Sequence, residues 1–255
     1  MNILLVNDDG ILAPGLAALH EAVRELGTVS VVAPDSPQSA AARSITLHVP
    51  MVCQQVHVDG RFWGTGVGGR PADCVKLAVR ELLGQRPDLV LSGINAGANV
   101  GVNIFYSGTV AAAAEGALLG IPSVAFSLQG GGEMDFRRAA GHCRWVLQRL
   151  LEGVLQPGEL VNVNIPMLGG PRPCGVKVVP QSTAAITESY SRKDGPDGQA
   201  VFQLREHFDY GPEQSETDVT ALEEGYITVT PLKSDLTDRL RMGHYSGVRW
   251  GNPPS

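Results

Sequence analysis

MNILLVNDDG, residues 1–10, is the stretch on which the fold turns. Residues 3–6 form a short uninterrupted apolar run, the pattern of a strand buried on both faces. Two adjacent carboxylates, Asp8 and Asp9, follow at its end, where their mutual repulsion has to be compensated.

Working outward, Leu16, Leu19, Val23 and Leu26 recur at helical spacing, with Pro14 near the start and Gly27 just past the end. TVSVVAP (28–34) reads as a second buried strand. Residues 48–63 alternate and contain Asp59-Gly60, which predicts a hairpin. In residues 72–83, Val75, Ala78, Val79 and Leu82 form a helical stripe closed by Gly84. PDLVLSG (87–93), IPSVAFS (121–127) and LVNVNIP (160–166) read as strands, and residues 108–120 and 136–151 as helices. This alternation predicts an α/β fold, an open and mostly parallel sheet with helices on both faces. Beyond Gly169 the pattern changes. VKVVP (176–180), AVFQLREHF (200–208) and GYITVTPL (225–232) read as strands without intervening helices, and SRKDGPDGQ (191–199) as a polar, turn-rich insert. A β-rich C-terminal extension over about residues 170–235, within one domain spanning 1–255, is the expectation.

The composition narrows the partners. The 255 residues are 43% hydrophobic and 18% charged with a net charge of −6, and no basic cluster exceeds Arg137-Arg138. Long nucleic acid is a poor partner for such a surface. The cysteines Cys53, Cys74, Cys143 and Cys174 are scattered without a C-x-x-C pair and read as buried thiols. The N-terminal apolar run is too short for a signal segment, and nowhere do eighteen apolar residues run together, so a cytoplasmic protein without membrane attachment is expected. His20, His48, His57, His142, His207 and His244 form no ligand pair at helical spacing; His244 is placed near a subunit contact.

In an open parallel sheet, ligands bind outside the carboxyl ends of the strands. Three predicted strands end in unusual polar sequences: NDDG, PDSPQSAAARS and SGINAGANVG. If these ends are neighbours, Asp8, Asp9, Ser39 and Asn95 share one pocket made only of oxygen donors, a set suited to Mg²⁺, Mn²⁺ or Ca²⁺. Such a cation would also compensate the paired carboxylates. The alternative is that Asp8 caps the next helix and Asp9-Gly10 makes a turn; the other polar strand ends favour the metal. Ser107, Gly108 and Thr109 fall at the N-terminus of an Ala-rich helix, where free N–H groups favour phosphate, though Ser107 or Thr109 could simply be an N-cap. GINAGANVGVN (93–103) interleaves Gly93, Gly97 and Gly101 with Asn95, Asn99 and Asn103, offering close backbone approach together with amide donors and acceptors.

MNILLVNDDG, VVAPDSPQSAAARSIT, GRPADCVKLA, LVLSGINAGANVG, YSGTVAAAAEG and DVTALEEGYITVTPL, taken in this order, resemble the SurE family of stationary-phase survival nucleotidases across nearly the whole chain. The resemblance implies a Rossmann-like core and one divalent cation per subunit. It implies hydrolysis of nucleoside 5′- and 3′-monophosphates and of short polyphosphate, and homodimers or homotetramers assembled through the C-terminal arm. It puts the metal ligands at Asp8, Asp9, Ser39 and Asn95, with Asp8 and Asp9 catalytic, and the phosphate-side residues at Asn99, Ser107, Gly108 and Thr109. The chain departs from the family pattern at Arg70, where Thr is usual, and in the arm, which lacks an aromatic pair. Among rivals, Gly64, Gly66 and Gly69 match G-x-G-x-x-G, but the preceding stretch reads as a hairpin, so they are expected in a flexible loop beside the site rather than around a dinucleotide. Neither a D-x-D phosphatase motif nor G-K-[ST] fits the strand ends. A nucleotide-sensing protein without turnover would carry the same pocket.

Overall fold

The computed structural model describes all residues except 132–133, 171–172, 185, 188, 198, 205–208, 211–214 and 252–255, and the backbone alone at 186–187 and 209–210. His207 and the end of the 200–208 run lie outside the described residues.

Strand β1 (Asn2–Val6) is buried along nearly its whole length. Its side chains alternate between two cores: Ile3 and Leu5 join one cluster, Leu4 and Val6 the other. Helix α1 (Pro14–Val23) starts on Pro14, whose missing N–H costs nothing there, and buries Leu16, Leu19 and Val23. The helix stops at Val23, so Leu26 lies beyond it. Gly15 lets α1 approach the sheet closely, since a Cβ there would lie 2.0 Å from the Ile94 carbonyl oxygen. Strand β2 (Thr28–Pro34) follows, then β3 (Cys53–Val58) and β4 (Arg61–Val67), joined by the expected Asp59-Gly60 turn with both residues at positive φ, 50° and 75°.

Strand β4 pairs antiparallel with β3 and parallel with β2. Gly64 and Gly66 therefore lie inside a paired strand rather than a flexible loop, and the glycine triplet does not form a turn that could cradle a dinucleotide. Helix α2 (Pro71–Leu77) runs on as a π-helical turn over Ala78–Leu82. Strand β5 (Leu89–Ala96) extends three residues past the predicted end. After a 3₁₀ turn at Gly101–Phe105 come α3 (Gly108–Leu118), β6 (Ser123–Leu128), α4 (Phe136–Leu151) and β7 (Leu160–Ile165). Helix α4 is capped by Asp135, whose carboxylate accepts from the Arg138 N–H at 2.9 Å, and it buries Ala139, Ala140, Cys143, Val146 and Leu147 on one stripe. Helices α1 and α4 pack against each other over one sheet face, and α2 and α3 do so over the other.

The C-terminal part is β-rich as expected, but two of its strands belong to the main sheet. Strand β8 (Val176–Val178) is followed by β9 (Ile186–Thr187), β10 (Tyr190–Asp194), β11 (Ala200–Leu204), β12 (Asp209–Tyr210), α5 (Asp218–Glu223), β13 (Ile227–Leu232) and α6 (Arg239–Ser246). β13 and β8 complete a nine-stranded sheet of order β3-β4-β2-β1-β5-β6-β7-β13-β8. Among the described residues, β9–β12 alone stand apart, as two two-stranded pairs. The predicted polar insert is half strand, because β10 pairs with β11 from Tyr190–Leu204 to Asp194–Ala200. Helix α5, missed in the sequence, starts on a Thr217–Thr220 capping box. Cys74 and Cys143 are buried as expected, but Cys53 and Cys174 are exposed on β3 and beside the Gly225 turn. No helix among the described residues is long and apolar enough to cross a membrane.

From β1 the chain moves outward on one side to β2 and β4, then returns to place β5 on the other side of β1. The crevice beyond the ends of β1 and β5 is therefore the topological switch point, where open α/β sheets bind ligands.

Candidate functional site

The mouth of β1 is shaped by Asn7, fully buried, whose Nδ2 donates to the Gly10 carbonyl at 2.9 Å and closes the turn. Asp8 is 6% exposed. Its Oδ1 accepts from the Thr109 hydroxyl, and Gly108 packs so tightly on it that an added Cβ would lie 2.7 Å from Asp8 Cβ. Asp9 reaches sideways, Oδ2 accepting from the Ala96 N–H at 3.1 Å, which ties the end of β1 to the end of β5. The loop after β2 is drawn in by the Gln38 N–H donating to the Asp8 carbonyl at 2.7 Å and by the Ala42 N–H donating to the Tyr106 carbonyl at 3.0 Å. Arg70, exposed at the start of α2, donates from Nη1 to Gln38 Oε1 and steadies the same loop next to Ser39.

These contacts surround one cavity of about 520 Å³. Asp8, Asp9, Ser39 and Asn95, the four candidate metal ligands, all line it, as do Asn99 and Ser107. Gly108 and Thr109 do not. Thr109 is fully buried with its hydroxyl bound to Asp8, and Gly108 packs against the same side chain. Ser107 is the N-cap of α3, its Oγ accepting from the Val110 N–H at 3.1 Å, and it still reaches the cavity. Asn95 spends its Nδ2 on the Gly97 carbonyl at 2.7 Å, which leaves the amide oxygen as its donor to a cation.

Burial pushes the Asp8 carboxyl up to about 6; the Thr109 hydroxyl opposes this and the neighbouring Asp9 charge adds to it. Burial also raises Asp9, against the Ala96 N–H that stabilises its charge. Two crowded carboxylates short of positive charge, next to a serine hydroxyl and an amide oxygen, are the donor chemistry of a hard divalent cation that keeps open positions for water or phosphate oxygens. Among the described residues no group of three or more His, Cys, Asp or Glu side chains could hold a metal, so a cation here would rest on two carboxylates plus neutral oxygens.

The sequence reading passed over several residues. Tyr106 lines the cavity beside the candidate amide Asn103, as do Tyr190 and Leu204, a cross-strand pair of the β10–β11 hairpin. Nothing local in the sequence announces the last two, since the hairpin is brought to the site by the chain's long-range path. Asn162 and Asn164, fully buried on β7, bond to the main chain of Asn99. Their signal was available, because polar residues inside an otherwise apolar, doubly covered strand need a reason.

The model described as "Survival protein SurE" matches residues 3–188. The chain is 45% identical over 238 residues to the 5′-nucleotidase SurE of Rhodopirellula baltica, covering 93% of this chain and 94% of that protein. It is 44% identical to the 5′-nucleotidase SurE of Syntrophobacter fumaroxidans, over 93% of this chain and 95% of the relative. The crystal structure of the SurE protein from Aquifex aeolicus superposes with a TM-score of 0.82 at 41% identity, over 96% of this chain and 98% of that one.

Proposed function

The chain belongs to the SurE family, and from that premise we propose that it is a 5′-nucleotidase, hydrolysing nucleoside 5′-monophosphates to nucleoside and phosphate at the mouth of β1 and β5. The observation that carries the reading is the convergence of Asp8, Asp9, Ser39 and Asn95 on one cavity at the switch point of the sheet. Nucleoside 3′-monophosphates and short polyphosphate are further proposed substrates, since they present the same terminal phosphate. Assembly into homodimers or homotetramers through the β-rich arm, and residence in the cytoplasm, belong to the same proposal.

In this reading Asp8, Asp9, Ser39 and Asn95 hold one divalent cation, Mg²⁺ or Mn²⁺. When bound it supplies Lewis acidity toward the phosphoryl oxygens and acidifies a nearby water. The remaining steps are the work of the chain. Water enters in line with the leaving nucleoside oxygen and passes a proton to the carboxylate pair, while Thr109 keeps Asp8 from rotating. Asn99 and Ser107 face the equatorial phosphoryl oxygens, where charge stabilisation contributes most to phosphoryl transfer. The new P–O bond forms to water, the bond to the nucleoside oxygen breaks, and that oxygen takes up the proton.

The test is phosphate release from nucleoside 5′- and 3′-monophosphates and a short polyphosphate, with Mg²⁺, Mn²⁺ or EDTA, for wild type and Asp9→Asn. Release that needs the cation and falls at least about 100-fold in Asp9→Asn is expected, beyond the usual cost of losing a supporting partner of a ligand. Nucleotide binding with no release under either metal would point to a sensor. An aspartyl-phosphate trapped at Asp8 would replace the water attack.

A further inference from the structure

Residue 99 lies beyond the end of β5, so its buried backbone groups have no strand partner and must find others. The Asn99 N–H donates to Asn164 Oδ1 at 2.8 Å, and Asn164 Nδ2 donates back to the Asn99 carbonyl at 3.1 Å. Asn162 Nδ2 donates to the same carbonyl at 2.7 Å. One carboxamide thus meets both polar groups of one residue, as a neighbouring strand would, because an amide side chain carries donor and acceptor in a single plane. The Asn99 side chain is fixed separately, Nδ2 donating to Ser127 Oγ at 2.9 Å. Two residues on, the Gly101 N–H donates to Asp218 Oδ2 at 2.9 Å and its carbonyl accepts from Gln181 Nε2 at 2.8 Å, while Asp218 Oδ1 takes the Ser182 N–H at 2.8 Å.

This arrangement is costly for the sheet. Asn is disfavoured in strands, and Asn162 and Asn164 are both 0% exposed. Asn162 Oδ1 and the cross-strand hydroxyls of Thr228 and Thr230 have no hydrogen-bond partner among the described residues. An apolar strand would cover the same helix and sheet without that cost, so the return lies in the loop.

We propose that Asn162 and Asn164 are positioning residues of the hydrolytic site: acting on the main chain of residue 99, they hold the Asn99 side chain at the wall that faces phosphate. The proposal rests on the nucleotidase reading for its effect on turnover. Because Asp218 and Gln181 pin Gly101 independently, losing one asparagine displaces residue 99 locally and leaves the domain folded.

The experiment compares wild type, Asn162→Ala, Asn164→Ala and Thr230→Val in amide hydrogen exchange and in kcat and KM for AMP with Mg²⁺ and with Mn²⁺. Asn164→Ala should speed exchange of the residue 99 amide and lower kcat by about 30-fold with KM within about threefold, the signature of support lost mainly in the transition state. Asn162→Ala leaves the Asn164 pair in place and should lower kcat by about threefold. Thr230→Val, which removes an unpartnered hydroxyl on the neighbouring strand, should keep the wild-type kcat. A folded Asn164→Ala with fast exchange at residue 99 and kcat within about twofold of wild type would make the pair mere scaffolding and overturn the proposal. If Asn164→Ala does not fold, an unchanged kcat in Asn162→Ala does the same. A wild type that releases no phosphate with either metal sinks the nucleotidase reading and this proposal with it; an active wild type with unaffected variants sinks the proposal alone.

Discussion

The two walls of the cavity stand on adjacent strands and are built on opposite principles. At the end of β1 the wall is charged: Asp8 and Asp9 sit side by side, both with raised carboxyls. At the end of β5 it is neutral, made of Asn95, Asn99 and the glycines between and after them, with the main chain of residues 99 and 101 satisfied from elsewhere in the fold. The main chain of the amide wall is satisfied within the protein, with the Asn95 amide oxygen left open to a cation. The carboxylate wall is not, and carries an electrostatic cost that a bound cation would remove. Changes at Asp8 and Asp9 should therefore depend on pH and metal, and changes at the supports of residue 99 should not.

The largest expected contrast is the pH dependence of stability without metal. Asp8 rises from 3.8 to about 6 on folding, so between those values the native state holds a proton that the unfolded chain has lost. Stability is greatest below about pH 4 with respect to this group and falls as pH rises through about 6, by about 3 kcal/mol in all. Denaturant unfolding of the metal-free protein at a series of pH values should show that slope. Asp8→Asn should flatten it, leaving the smaller slope of the raised Asp9 carboxyl, and saturating Mn²⁺ should raise stability most at the high-pH end. The same slope in Asp8→Asn would mean that the carboxylate wall is not the strained one, whereas Asn164→Ala should shift the curve without tilting it.

Next comes Gly108→Ala. A Cβ there would lie 2.7 Å from Asp8 Cβ and 2.8 Å from Oδ2, so the carboxylate must move. Alanine favours the helix and overpacking opposes it, for a net loss of about 1–2 kcal/mol by thermal unfolding. Because the displaced group is Asp8, Mn²⁺ affinity measured by titration should fall as well. Unchanged affinity would separate Asp8 from the metal site.

How far each wall could be read in advance follows from the range of its interactions. The carboxylate wall was legible because NDDG follows a four-residue apolar run directly, and the pattern of a doubly buried strand fixes both the parallel sheet and the end at which the carboxylates emerge. The amide wall was legible as a list of residues, but its support was hidden: Asn99 is held by residues 63 and 65 positions away, and Gly101 by one 117 positions away. Thr109 carries a contact that its place in the sequence does not announce: at the start of α3, its hydroxyl is turned to Asp8 by the packing of that helix against the end of β1. In the C-terminal part, β8 and β13 carry apolar runs too short to distinguish a sheet member from an arm, and sheet order is set by crossovers that periodicity does not record.

The smallest expected effect tests the same contrast in the backbone. On the amide wall the positive-φ positions at 97 and 101 are glycines, at 127° and 55°, which carry no Cβ to clash. On the carboxylate wall the loop after β2 uses alanines: Ala40 at 55° and Ala42 at 51°, the latter donating its N–H to the Tyr106 carbonyl. A left-handed alanine costs about 1 kcal/mol, partly offset by the greater freedom that glycine would have in the unfolded chain. Ala40→Gly, which gives this wall the backbone chemistry of the other, should therefore raise stability by about 0.5 kcal/mol, a shift of about 1–2 °C in Tm for a domain of this size. Ala40→Val, with a branched side chain in the same conformation, should lower it. If the two substitutions shift Tm in the same direction, the loop is not held in its left-handed turn, and the strain on this wall is confined to its two carboxylates.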